Sequence, residues 1–299
     1  RHGMALSTGV KPPQNLYDDS GRQVTAWFAL APSLPATERA EAAIRAATLG
    51  TLSNSALVSL YAEVSDEEGA ADTVVGRAAA LHSAYAAANR TGRLKGLEQL
   101  LPGGEEEIDA EAYGEMVLAS RAAAAIAPDA DLSEDLKGWL IASMLTSGLD
   151  RQAATWSAAV DPGSFGWALI QASAPRVARV DDGALSDFID DWGSDAPQKA
   201  NLLVAGLAGL GRIDGAALGE VSDLLGTDFM RKSRFTNSID AAATAKQSGM
   251  VALLSIAALQ GDNWQTVSPA HFYRLIRALR MTGREPEARM LVAEAVTRA

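Results

Sequence analysis

Six aspartates crowd one short stretch: Asp181, Asp182, Asp187, Asp190, Asp191 and Asp195. Asp187, Asp190 and Asp191 read D-x-x-D-D, which on a helix sets the first beside the other two on neighbouring faces. A small set of carboxylates suits Mg²⁺, which binds a few of them together with substrate phosphate. Such a site needs more than this segment supplies. No convincing second metal motif accompanies it, and no arginine cluster stands beside the first to hold a diphosphate. The simpler expectation is a solvated helix face with capping aspartates, with a Mg²⁺ or Ca²⁺ site and a metal-dependent enzyme as alternatives.

Other catalytic groups are sparse. The histidines His2, His82 and His271 lie far apart, and without a close pair such as HExxH a familiar zinc site is not expected. His82 should lie on a helix flank and His271 in an exposed first turn. There is no cysteine, which removes disulfides, thiolate metal sites and thiol nucleophiles. Pro102-Gly103-Gly104 runs into Glu105-Glu106-Glu107, whose charge would repel a phosphate but suits the start of a helix. Gly163-Ser164-Phe165-Gly166 lacks the spacing of a nucleophile elbow. No cofactor is expected.

A sharper surface lies near the C-terminus. At 100° per residue Arg274, Arg277, Arg280 and Arg284 fall within an arc of about 120°, opposite Phe272, Leu275, Ile276 and Leu279. The helix should bury the apolar stripe and show a basic ridge, fit for an acidic partner segment or another copy's acidic part. Trp139 and Trp156, flanking one turn, should be core; in a groove they could anchor a partner.

The elements that would position these residues are helices. Ser268-Pro269 places a capping residue before a proline at the first helical position, and Gly283 should stop that helix. Glu285-Pro286 then opens a last helix. Asp131 with Glu134 resembles a capping box ahead of Leu136 to Ser147, which Gly148 should end. Asp195 and Pro197 precede Lys199 to Leu210, ended by Gly211. Residues 1–35 differ: Pro12-Pro13, Pro32 and Pro35 bracket an apolar patch from Val24 to Leu30, which reads as an extended arm or short strand. Helical patterning from residue 36 to 299 forms the remaining domain, with a possible subdivision near 128–131.

Three segments align. Leu140-Ile141, Met144, Gly148 and Ala153 match Leu203-Val204, Leu207, Gly211 and Ala216, and both match Leu275-Ile276, Leu279, Gly283 and Ala288. Each reads as a helix, a glycine turn and a small residue where a second helix crosses. The glycine spacing is close to twice a helical-hairpin repeat of about 34 residues, and Gly183 and Gly249 should mark the hairpins between. The last segment resembles the tetratricopeptide repeat, with Leu275, Leu279, Gly283, Ala288 and Ala295 at its small and apolar positions. Val292 stands where that family carries an aromatic, and the first helix lacks the Leu-Gly pair. The resemblance implies an all-α fold of stacked antiparallel helical hairpins, an α-solenoid whose groove binds proteins or peptides without catalysis. The D-x-x-D-D spacing is similar to that with which all-helical prenyl-chain enzymes hold magnesium diphosphate. Alanine richness resembles helical proteins of high-GC bacteria, leaving periplasm, cell envelope and cytoplasm open.

Composition agrees with helices. Of the 299 residues, 48% are apolar but only 6% aromatic, and alanine, the best helix former, contributes little burial per residue. The net charge of −11 argues against nucleic acid as a partner. It is uneven: residues 226–299 carry ten Lys/Arg against six Asp/Glu, or +4, so residues 1–225 carry −15. Opposite ends of that kind allow a homo-oligomer. The apolar stretch Ala200 to Gly211 is too short for a membrane span of about 20 residues. Arg1-His2-Gly3-Met4 does not look like a natural start, so a removed targeting segment or a longer protein stays open.

Overall fold

The computed structural model describes residues 22–64, 71–103, 108–176, 179–194, 196–261 and 263–299. Among them it contains sixteen α-helices and no strand. Contacts divide the chain into two compact units, with the boundary between Ala127 and Pro128.

The first unit holds α1 (Arg22–Ala29), α2 (Ala36–Thr48), α3 (Asn54–Val64), α4 (Asp72–Ala86), α5 (Arg90–Glu98) and α6 (Ala110–Ala124). The patch expected to be an extended arm is the helix α1, a correction. Pro32 and Pro35 follow this helix, where they bound it without breaking it, and Ala26, Phe28 and Ala29 gain burial where α1 packs on α2. That burial outweighs the strand preference of Val24 and Thr25. The rest of the expected arm, residues 1–21, lies outside the described residues. On α2, Ala36, Ala40, Ala43 and Ala47 recur at helical spacing and are buried, so neighbouring helices approach over methyl groups alone. Side chains then pin the crossings. Asn54 Nδ2 donates to the carbonyls of Val117 (2.7 Å) and Leu118 (3.0 Å), and Tyr61 Oη donates to that of Ala40 (3.2 Å). The Arg77 guanidinium bridges Glu111 and Glu115.

The second unit holds α7 (Glu134–Thr146), α8 (Asp150–Ala154), α9 (Phe165–Ser173), α10 (Asp182–Trp192), α11 (Pro197–Leu210), α12 (Gly215–Leu225), α13 (Arg234–Thr244), α14 (Ser248–Ala258), α15 (Pro269–Met281) and α16 (Glu285–Arg298). The anticipated stops are real: Gly148, Gly211 and Gly283 have φ of 69°, 73° and 81°, a region glycine enters without a Cβ penalty. Pro197, Pro269 and Pro286 all stand in a first turn. Ser133, not Asp131, caps α7, accepting the Leu136 N–H, because the helix opens at Glu134 and leaves Asp131 two residues short of the cap position. Gly183 and Gly249 are second residues of α10 and α14, not stops; the left-handed residue before α14 is Lys246, φ 56°.

At the centre lies α11, whose Ala200, Leu203, Val204, Gly206 and Leu207 are all buried, with α15 and α16 packed against it. Gly206 and Gly209 permit the approach. A Cβ on Gly206 would run into the Val292 methyls, and one on Gly209 would sit 2.8 Å from Ile276 Cβ and 2.9 Å from the Tyr273 carbonyl. Helix α16 also packs on α7 and α9, where the buried Arg289 pairs with Asp150 (2.8 Å) and donates to the Ser173 carbonyl. Asp150 is 139 residues away in sequence. Stacked repeats touch their neighbours; this helix reaches across the unit. The three aligned segments differ accordingly, since Ala153 and Ala288 are fully buried while Ala216 is exposed.

Candidate functional site

The acidic helix α10 is amphipathic in the ordinary sense. Ala184, Leu185, Phe188 and Ile189 are buried, which turns Asp187, Asp190 and Asp191 to solvent. Asp181 caps it by accepting the Ala184 N–H at 2.8 Å. Asp182 pairs with Arg179 at 3.0 Å, and Asp187 packs its Cβ against Gly163. Asp195 lies outside the described residues. Among the described residues no three His, Asp or Glu groups come close enough to share a metal ion.

The arginines expected to form a basic ridge are engaged within the fold, though Arg277, Arg280 and Arg284 keep part of their surface in solvent. Arg274 is 8% exposed and lies 3.2 Å from Asp240 of α13, and Arg277 reaches the same carboxylate at 3.2 Å. Arg280 donates to the Leu210 carbonyl at 2.8 Å, satisfying the C-terminal end of α11, and Arg284 pairs with Glu287 at 3.2 Å. Arg274, Arg277 and Arg280 belong to α15, whereas Arg284 lies beyond the Gly283 turn as the N-cap of α16. Their acceptors come mostly from other helices, so the ridge fastens α15 to α11 and α13.

Trp139 and Trp156 are buried. Trp139 meets Phe165 edge-on at 5.1 Å between ring centres, and Phe165 and Phe188 lead on to Trp192. The buried Lys199 ammonium stands 4.5 Å from the Trp192 ring centre and 5.0 Å from that of Phe165. These aromatics form the core between α7, α9 and α10.

The surface least explained by folding is α14, which pattern reading did not single out. From Ser248 to Gly261 there is no charged residue. A helix apolar on all sides is ordinarily buried on all sides. Here only Val251 and Ser255 are fully covered, by α13 and α15. Leu253 and Ile256 are each 64% exposed and Met250 48%, and Gly249 and Ala257 share that side. The missing charge was the available signal; which side lacks a neighbour is a tertiary fact.

No protein-family model matches this chain, and no curated protein or solved structure matches it.

One pair resembles catalytic geometry. Ser233 Oγ lies 3.0 Å from His271 Nε2, and burial, followed by the nearby Arg231, holds the imidazole below its usual range and so neutral at pH 7. His271 is half-buried against Phe235, not exposed as expected. A serine beside a neutral imidazole is half of a nucleophile pair; the other half is a group that orients the base. Among the described residues no carboxylate bonds to His271. Ser233 is the N-cap of α13, accepting the Thr236 N–H while its own N–H donates to Thr236 Oγ1. The pair ties the start of α13 to α15. His82 is exposed on α4, and His2 lies outside the described residues.

Among the described residues no helix is long and apolar enough to cross a membrane.

Proposed function

We propose that this chain is a non-catalytic protein-interaction or scaffold domain built from helical hairpins of the tetratricopeptide kind, with the outer side of α14 as its docking face. The observation that carries this reading is the strip of Met250, Leu253 and Ile256 on a helix without charge. Contiguous exposed apolar surface of this kind marks interaction sites in soluble proteins. The last hairpin supports the repeat part: Leu275, Leu279, Ala288 and Ala295 are buried around the Gly283 turn. Arg274, Arg277 and Arg280 enter as the fastening of α15, and Arg284 pairs with Glu287 at the start of α16.

The occupant would be an apolar helix or strand of a partner protein, or the same face of a second copy. Burying three large side chains from both sides supplies the driving force, and the small Gly249 and Ala257 let a partner backbone come close. The test compares the intact chain with Leu253→Glu/Ile256→Glu. Sedimentation reads self-association, and crosslinked capture from source-cell lysate reads partners. A partner or second copy held by the intact chain and lost by the variant supports the reading. One held equally by both sinks the docking face, and none held by either sinks the interaction reading. Both substitutions are at exposed positions, so matching circular-dichroism spectra are expected.

A further inference from the structure

A concave feature lies at α8 and the end of α9. There a cleft of about 640 Å³, within the usual range for small-molecule sites, is lined by Arg151, Ala154, Ile170, Gln171, Ala174 and Arg176. Its wall is mixed. Ala154 and the exposed Pro175 give an apolar surface, with Ile170 and Ala174 nearly buried behind it, while Arg151 and Arg176 are exposed and form no hydrogen bond or ion pair with any described residue. Most other arginines of this acidic chain have been given an acceptor, among them Arg77, Arg179, Arg212 and Arg289. Two cations without one, facing the same cleft, set it apart.

The ground behind the cleft adds to its positive field. Arg212 is buried and donates to the carbonyls of Gln171 and Ala174 (2.7 Å to the latter), both lining residues. Arg289 donates to the Ser173 carbonyl between them. The guanidiniums of Arg212 and Arg289 therefore cap the C-terminal end of α9 from the inside, reversing the negative potential a helix C-terminus would otherwise present. Burial, followed by repulsion from Arg289, pushes the Arg212 guanidinium down to about 10, still a cation at neutral pH. Asp150, the acid nearest in sequence, is held by Arg289.

We propose that this cleft binds a small amphipathic anion, its apolar body seated on Ala154 and Pro175 and its carboxylate, sulfonate or phosphate head held by Arg151 and Arg176. Arginine forks match such oxyanions with paired donors. The inference is independent of the docking face on α14, and a different measurement decides it.

The probe is anilinonaphthalene sulfonate, an apolar body with one anionic head, with its uncharged analogue phenylnaphthylamine as the control. Fluorescence titrations compare Leu253→Glu/Ile256→Glu, which removes the other apolar surface, with the same chain also carrying Arg151→Gln and Arg176→Gln. Losing two charge-assisted contacts should weaken the sulfonate at least about 10-fold and leave the uncharged probe within about 2-fold. Rising salt should weaken the sulfonate in the parent and hardly at all in the arginine variant. Unchanged sulfonate affinity would overturn the proposal. So would a parallel loss of both probes, or an absence of sulfonate binding once the α14 face is removed.

Discussion

Gly209→Ala and Gly219→Ala should move stability in opposite directions although both replace a helical glycine. By helix propensity alone each would gain about 1 kcal/mol. At Gly219 on α12 nothing lies within 4 Å of the added methyl, so the gain should be kept. At Gly209 the methyl meets Ile276 Cβ at 2.8 Å and the Tyr273 carbonyl at 2.9 Å. Neither is the end of a flexible side chain, so α15 must shift away from α11, carrying with it the bond from Arg280 to the Leu210 carbonyl. Overpacking of that kind costs about 2–3 kcal/mol, leaving a net loss of about 1–2 kcal/mol. For a unit of this size the loss corresponds to a fall in Tm of about 2–8 °C, against a rise of about 2–4 °C for Gly219→Ala. Urea unfolding followed by tryptophan emission is the assay, because Trp139, Trp156, Trp167, Trp192 and Trp264 lie in the second unit and only Trp27 in the first. A midpoint for Gly209→Ala at or above that of the unmodified chain would refute the close crossing of α11 and α15.

Arg289→Met should destabilise the second unit by about 2–4 kcal/mol, because it strands Asp150 and the Ser173 carbonyl; a shift in urea midpoint under 0.5 kcal/mol would show that the pair contributes little. Arg280→Ala should cost about 0.5–1.5 kcal/mol by uncovering the end of α11, read as a lower Tm. For Glu134, burial opposes ionisation, but the Lys137 ammonium, the Asp161 N–H and Ser164 together outweigh it and hold the carboxyl below its ordinary 4.5. Its stabilisation is therefore complete above that value and lost as pH falls through the lower, folded-state one. In Glu134→Gln the acid-side decline of the urea midpoint should be shallower, and identical profiles would exclude the linkage.

The helical class and many helix boundaries could be read from the sequence because their causes are local. Gly148, Gly211 and Gly283 stop helices through their own backbone freedom, and Pro197, Pro269 and Pro286 start them through a fixed φ. What escaped was decided at a distance. Val24 to Ala29 is helical because α2 offers it a seam. The arginines of α15 share the predicted face, yet their acceptors Asp240 and Leu210 lie 37 residues from Arg277 and 70 from Arg280. The cleft joins Arg151 to Arg176 across a turn and a helix that carry no motif. The uncovered side of α14 was hidden for the opposite reason: apolar all round, it has the composition of a core helix, and only packing reveals which side stayed bare.

The return of α16 to α8 and α9 has a bearing on how the second unit is made. Arg289 completes a pair with a residue synthesised 139 positions earlier. At about 5–20 residues per second, the ribosome takes roughly 7–28 s over that interval. Within it α9 and α11 are produced, and the surface meant for α16 stays open until that helix follows. Closure of this unit thus waits on the synthesis of α16, and until then the nascent chain holds apolar surface of α9 and α11 without its cover.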